Sequence, residues 1–165
     1  MQELEWFFKD RTQWGPGAWD NEPDKAQWTD AETGLPCLIH RNYSGAWCGY
    51  VGVSLVLMEY LGDLDIETLD ISVHGGITFT DKCMTSPTFA NGEGICHVPE
   101  QGEPDGVFWF GFDCSHYMDM CPADIEFNHL MGDYTSMQRA HRIYRDVSYV
   151  KAECASLAKQ LIYIG

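Results

Sequence analysis

Ser72-Val73-His74-Gly75-Gly76-Ile77-Thr78-Phe79 and Val107-Phe108-Trp109-Phe110-Gly111-Phe112-Asp113-Cys114-Ser115-His116 are two apolar runs interrupted by glycine. Short runs of this kind, rich in β-branched and aromatic residues, read as buried strands. Both also carry polar groups that a purely structural strand does not need. His74 is expected in mid-strand, and Asp113 and His116 where the second strand ends.

Outward from these runs, Leu35–Arg41 and Ala46–Val53 read as two more strands. Between them, Asn42-Tyr43-Ser44-Gly45 is turn chemistry, so the pair is a hairpin. Leu55–Leu61 is apolar and fits either a strand extension or a helical turn, and Asp63–Asp70 is an acidic connector. The region 1–34 is rich in Trp, Asp, Gly and Pro. It predicts a short helix over Glu3–Asp10, then turns and extended pieces anchored by Trp6, Trp14, Trp19 and Trp28. Asp81–Asp105, with Pro87, Pro99, Pro104, Gly92 and Gly94 among its residues, reads as a long loop, and Tyr117–Thr135 as irregular. At the C-terminus, Val147, Val150, Cys154, Leu157, Leu161 and Ile164 step by three and four. That is one helical stripe, with Asp146 placed to cap it. The expected fold is a single α+β domain over 1–165: an antiparallel sheet of about four or five strands backed by a C-terminal amphipathic helix.

The composition narrows function by exclusion. With 165 residues, 45% hydrophobic and 13% aromatic, the chain can bury a proper core. No apolar run reaches membrane-spanning length, and Met1–Trp6 lacks the features of a signal peptide, so a cytoplasmic protein without membrane contact is expected. Seven cysteines, an odd number, with no secretion signal predict free thiols rather than a disulfide framework. The net charge is −15. From Glu59 to Asp133 there are fifteen acidic residues and one basic residue, Lys82. Such a surface repels phosphate backbones, so direct nucleic-acid binding is not expected, whereas a basic partner suits it. Asp63, Asp65, Glu67 and Asp70 are the candidate binding residues.

Three constellations carry chemistry. His74, Asp113, His116 and Asp119 form a His/carboxylate set of the kind that works as base and orienter or holds a divalent metal. The plainer reading is that Asp113 caps a turn and His74 bonds into the core. Cys48 or Cys114 with His74 or His116 would make a Cys–His nucleophile pair, against the plainer reading of inert core thiols. Cys83, Cys96 and His97 with a fourth ligand would make a zinc site, although the usual ligand spacing is absent. No cofactor is predicted outright; zinc or another divalent metal stays open. No GxGxxG followed by a helix and no P-loop occurs.

Several segments, taken in order, carry a resemblance. They are Trp14–Gly17, Thr33–Cys37, Cys48-Gly49-Tyr50-Val51-Gly52-Val53, Val73–Gly76, Ile95–Pro99, Trp109–Cys114, Tyr144–Asp146 and Tyr149–Cys154. Together they resemble a family of small proteins encoded by bacteriophages, prophages and some bacteria. The likeness spans nearly the whole chain but brings no established activity to any residue. One departure is visible. Where such proteins continue with a Pro- and His-containing segment, Ser54–Leu69 is apolar and acidic. The resemblance implies a phage accessory protein that binds a host protein, as an anti-CRISPR or similar anti-defence inhibitor does. A small His/Asp hydrolase, metal-dependent or not, and a structural or housekeeping phage protein are the alternatives. A homodimer through the helical stripe also stays open.

Overall fold

The computed structural model of the chain describes residues 3–62, 65–83, 94–96, 105–124 and 142–164. Six strands form one open antiparallel sheet: β1 (Leu4–Trp6), β2 (Lys25–Thr29), β3 (Pro36–Arg41), β4 (Trp47–Ser54), β5 (Phe79–Lys82) and β6 (Val107–Asp113), in the order β1-β2-β3-β4-β6-β5. A seven-residue helix, α1 (Leu55–Leu61), follows β4, and α2 (Val147–Ile162) closes the chain. The architecture is α+β as expected, with six described strands rather than four or five. The extra strands lie in the N-terminal region. β1 occupies part of the predicted Glu3–Asp10 helix, and β2 was hidden among turn-rich residues. In both, tertiary pairing, of β2 with β3 and of β1 with β2, overrides a weak local pattern.

The hairpin reading holds. β3 and β4 pair from Cys37↔Val51 to Arg41↔Trp47, and Asn42 and Ala46 close the turn with Gly45 at φ +79°. The second apolar run forms β6, ending at Asp113. The first does not form a strand around His74. Gly75 and Gly76 take φ of +69° and +80°, and the Gly76 amide donates to Val73 O, so His74 sits in a turn and β5 begins only at Phe79. The expectation of a mid-strand His74 is thereby corrected: two adjacent left-handed glycines turn the backbone out of the sheet.

Each sheet face is covered. Cys37, Ile39, Val51, Phe110 and Phe112 pack with Val150, Cys154, Leu157, Ala158 and Leu161 of α2, which lies across β4 and β3. The helical stripe is therefore spent on the sheet within one chain, and its burial needs no dimer seam. Asp146 caps the helix by accepting the Tyr149 amide at 2.8 Å. On the other face Leu38, Cys48, Tyr50 and Trp109 pack with Ile95, and Lys25 Nζ donates to Gly94 O.

The N-terminal region is tied down by buried charge. Arg41 is fully buried against the Trp47 ring. It donates to Pro23 O, Gly45 O, Tyr144 Oη and Glu22 Oε1. Glu22 also accepts the Val147 amide at the start of α2, and Asp24 accepts the Phe8 and Lys9 amides. Trp14 and Trp19 are buried beside this network, which agrees with their reading as anchors.

Candidate functional site

The turn at His74, the end of β6, the segment that follows it and the first turns of α2 meet at one end of the sheet. Asp119 is at the centre, with its side chain almost fully buried. Its Oδ2 accepts from His74 Nε2 at 2.8 Å and from the His116 amide at 3.0 Å, and its Oδ1 from Arg145 Nε at 3.0 Å. The Asp119 amide donates back to His116 O, so these two residues, three apart, close a turn. Burial pushes the Asp119 carboxyl up. The hydrogen bonds from His74, the His116 amide and Arg145 outweigh that and hold it below the usual carboxylate range.

With Asp119 ionised, His74 Nε2 donates to it, and on the other side of the ring Nδ1 and Tyr149 Oη are hydrogen-bonded at 2.8 Å. The His74 amide donates to Glu153 Oε2 at 2.8 Å. Tyr149–His74–Asp119–Arg145 is thus a continuous chain in which both ring nitrogens are engaged. Arg145 also stacks on the Tyr149 ring, 4.9 Å from its centroid.

His116 and Asp113 form the solvent side. Their side chains are 40% and 27% exposed, with His116 Nε2 3.5 Å from Asp113 Oδ1. Asp113 is oriented by Thr78 Oγ1 at 3.0 Å and by the Ser115 amide at 3.1 Å. The His74 and His116 rings lie 5.8 Å apart. Gly75 makes this approach feasible: a Cβ there would meet His116 Nε2 at 2.0 Å, and its φ is left-handed. All four sequence candidates are therefore brought together. Sequence reasoning missed Tyr149, Arg145 and Glu153; the only signal for them was that Tyr149 and Glu153 are four apart and so share a helix face.

The arrangement fits proton holding better than metal binding. Among the described residues, the one His/Cys/Asp/Glu group whose ligand atoms converge is Cys83, Cys96 and Asp105, where β5 ends and β6 begins, away from His74. Cys83 and Cys96 are joined as a disulfide with Cα atoms 5.0 Å apart. This corrects the expectation of seven free thiols; a spacing of thirteen residues gave no hint that the loop ends meet. His97 lies outside the described residues. Cys37, Cys48, Cys114, Cys121 and Cys154 are free and buried. Burial pushes the Cys48 thiol up to about 12 and also raises Cys114, which is the opposite of an activated nucleophile, so the Cys–His reading fails.

Of the candidate binding acids, Asp65, Glu67 and Asp70 are exposed, and Asp63 lies outside the described residues. Leu57 and Met58 turn α1 onto the core, which leaves Val56, Glu59 and Tyr60 outward; Val56 is 73% and Tyr60 84% exposed. No described helix is long and apolar enough to cross a membrane.

The Asp119 network has a pH signature. A carboxylate whose native pKa is depressed adds stability that is present above its unfolded value, near 3.8, and lost as pH falls through the native value. Wild-type stability is expected to drop on acidification below about pH 4, and Asp119→Asn to remove that part of the drop. Equal acid limbs for both proteins in denaturant titrations would contradict this.

No protein family, curated protein or solved structure matches the chain.

Proposed function

We propose that the protein acts by binding a basic protein partner through the acidic, tyrosine-bearing surface of α1 and the segment after it. In the phage setting that the resemblance implies, the partner is a component of host defence and the binding is inhibitory. The observation that carries this reading is the exposure of Tyr60 amid exposed Glu59, Asp65, Glu67 and Asp70, in a stretch, 55–70, with no Lys, Arg or His. Acidic charge steers a basic partner toward the surface, and a projecting tyrosine supplies an anchor once contact is made. The same field disfavours nucleic acid. With a partner captured from bacterial lysate and purified, Tyr60→Ala is expected to weaken binding by about 2 kcal/mol, roughly thirtyfold. Affinity within about threefold of wild type, in a folded variant, would contradict the reading.

A second reading, a small hydrolase, draws on the exposed His116–Asp113 pair backed by the ordered His74–Asp119 bond. In it, His116 exchanges a proton with substrate or water and Asp113 orients its ring. The saturation of His74 and Asp119 by partners favours the binding reading, because those two groups then serve the fold.

A further inference from the structure

The loop ends at Cys83 and Cys96 and Asp105, two residues before β6, come together from three separate parts of the chain. One Sγ from each cysteine and one carboxylate oxygen of Asp105 all lie within 4.8 Å of one another. The carboxylate is aimed by two donors: the Trp109 Nε1–H at 3.1 Å and the Val107 amide at 3.0 Å. Cys96 is fully buried, and its neighbour Ile95 packs with Leu38, Tyr50 and Trp109, while Lys25 Nζ holds Gly94 O. Cys83 is only partly buried, directly after β5. Cys96 and Asp105 therefore sit on well-packed supports, and Cys83 is the more open of the two cysteines.

We propose that Cys83, Cys96 and Asp105 are a redox-gated site for a soft divalent cation such as Zn²⁺, empty as the disulfide and filled when the sulfurs are reduced. Two thiolates with a carboxylate match the ligand preferences of zinc, and the fourth position of a tetrahedral ion takes water or another donor. The donors on Asp105 act as the supports that orient a ligating carboxylate. The chemistry balances in both directions. A dithiol reductant delivers two electrons and two protons to the S–S bond and leaves as its own disulfide. Zn²⁺ then displaces both thiol protons. Hydrogen peroxide reverses the step: the two thiolates give up two electrons to the O–O bond, the S–S bond re-forms, the ion is released, and two waters leave after uptake of two protons. The five other free cysteines are buried, which keeps them from competing for the ion.

The test uses the full chain and Co²⁺ as the probe, because thiolate-to-cobalt charge transfer reports sulfur ligation directly. Reduced, chelator-stripped protein, handled without oxygen, is expected to take up about one equivalent of Co²⁺ with thiolate charge-transfer absorption, and to release it to Zn²⁺. Peroxide-treated protein is expected to give no such absorption. Cys83→Ser and Cys96→Ser should each abolish it, and Asp105→Asn should weaken uptake by at least about tenfold. Reduced wild type that shows no charge-transfer band, with both thiols free to titrate, would overturn the proposal whatever the variants do. So would a band that survives Cys83→Ser or persists in the oxidised protein.

Discussion

Replacing Arg41 with methionine is expected to lower stability by about 3–5 kcal/mol, the cost of breaking a buried ion pair from one side. Arg41 is wholly buried, and its guanidinium faces Glu22 at 3.1 Å and Asp24 at 3.4 Å. Methionine keeps the apolar stem against Trp47 but leaves both carboxylates short of a cation. Asp24 retains Arg11, at 2.5 Å. Glu22 retains the Tyr144 hydroxyl and the Val147 amide, which are neutral donors. Loss should therefore be felt where Glu22 grips α2, and the segment before β2 should loosen with it. Urea midpoints at neutral pH, with the slope unchanged, provide the measurement. A difference below about 1 kcal/mol would mean that water or Arg11 reaches the acids.

Leu157→Ala should cost about 2–5 kcal/mol. Leu157 is fully buried at the centre of the α2 stripe, where it packs in the cluster that also holds Ile39, Val51 and Phe112. The loss combines removed apolar burial with a cavity that the sheet cannot easily collapse, since β3 and β4 are held in register from both sides. A near-zero shift of the urea midpoint would show that α2 is not part of the core.

Much of this fold is legible because periodicity and turn chemistry act locally. The Val150–Leu161 stripe, the Asp146 cap and the hairpin over Asn42–Gly45 are each specified within a few residues, and each forms. β1 and β2 are not legible in that way. They become strands because β3 offers an edge to β2 and β2 in turn offers one to β1, and Lys25 and Gln27, polar residues that local rules place outside, are buried there by long-range packing. At the site, His74, Asp113, His116 and Asp119 were picked on residue type and do converge. The reason differs from the expected one, since a Gly75–Gly76 turn rather than a strand presents His74. Arg145 and Tyr149 escaped notice because nothing local shows that the approach to α2 will land on Asp119. The Cys83–Cys96 contact escaped for the same reason.

Binding and catalysis place the decisive groups on different surfaces. The acids lie on the segment after α1, whereas His116 lies at the far end of β6. Salt sharpens the contrast: the screening length falls from about 10 Å at 0.1 M to about 3 Å at 1 M, so charge-steered association should slow steeply. The most direct measurement is partner association from bacterial lysate at low and high salt, with two folded variants beside wild type. One is the triple Asp65→Asn, Glu67→Gln, Asp70→Asn, and the other is His116→Ala. The binding account predicts that the triple variant and high salt each slow association, while His116→Ala associates like wild type. Loss confined to His116→Ala, with the triple variant and salt without effect, would contradict it.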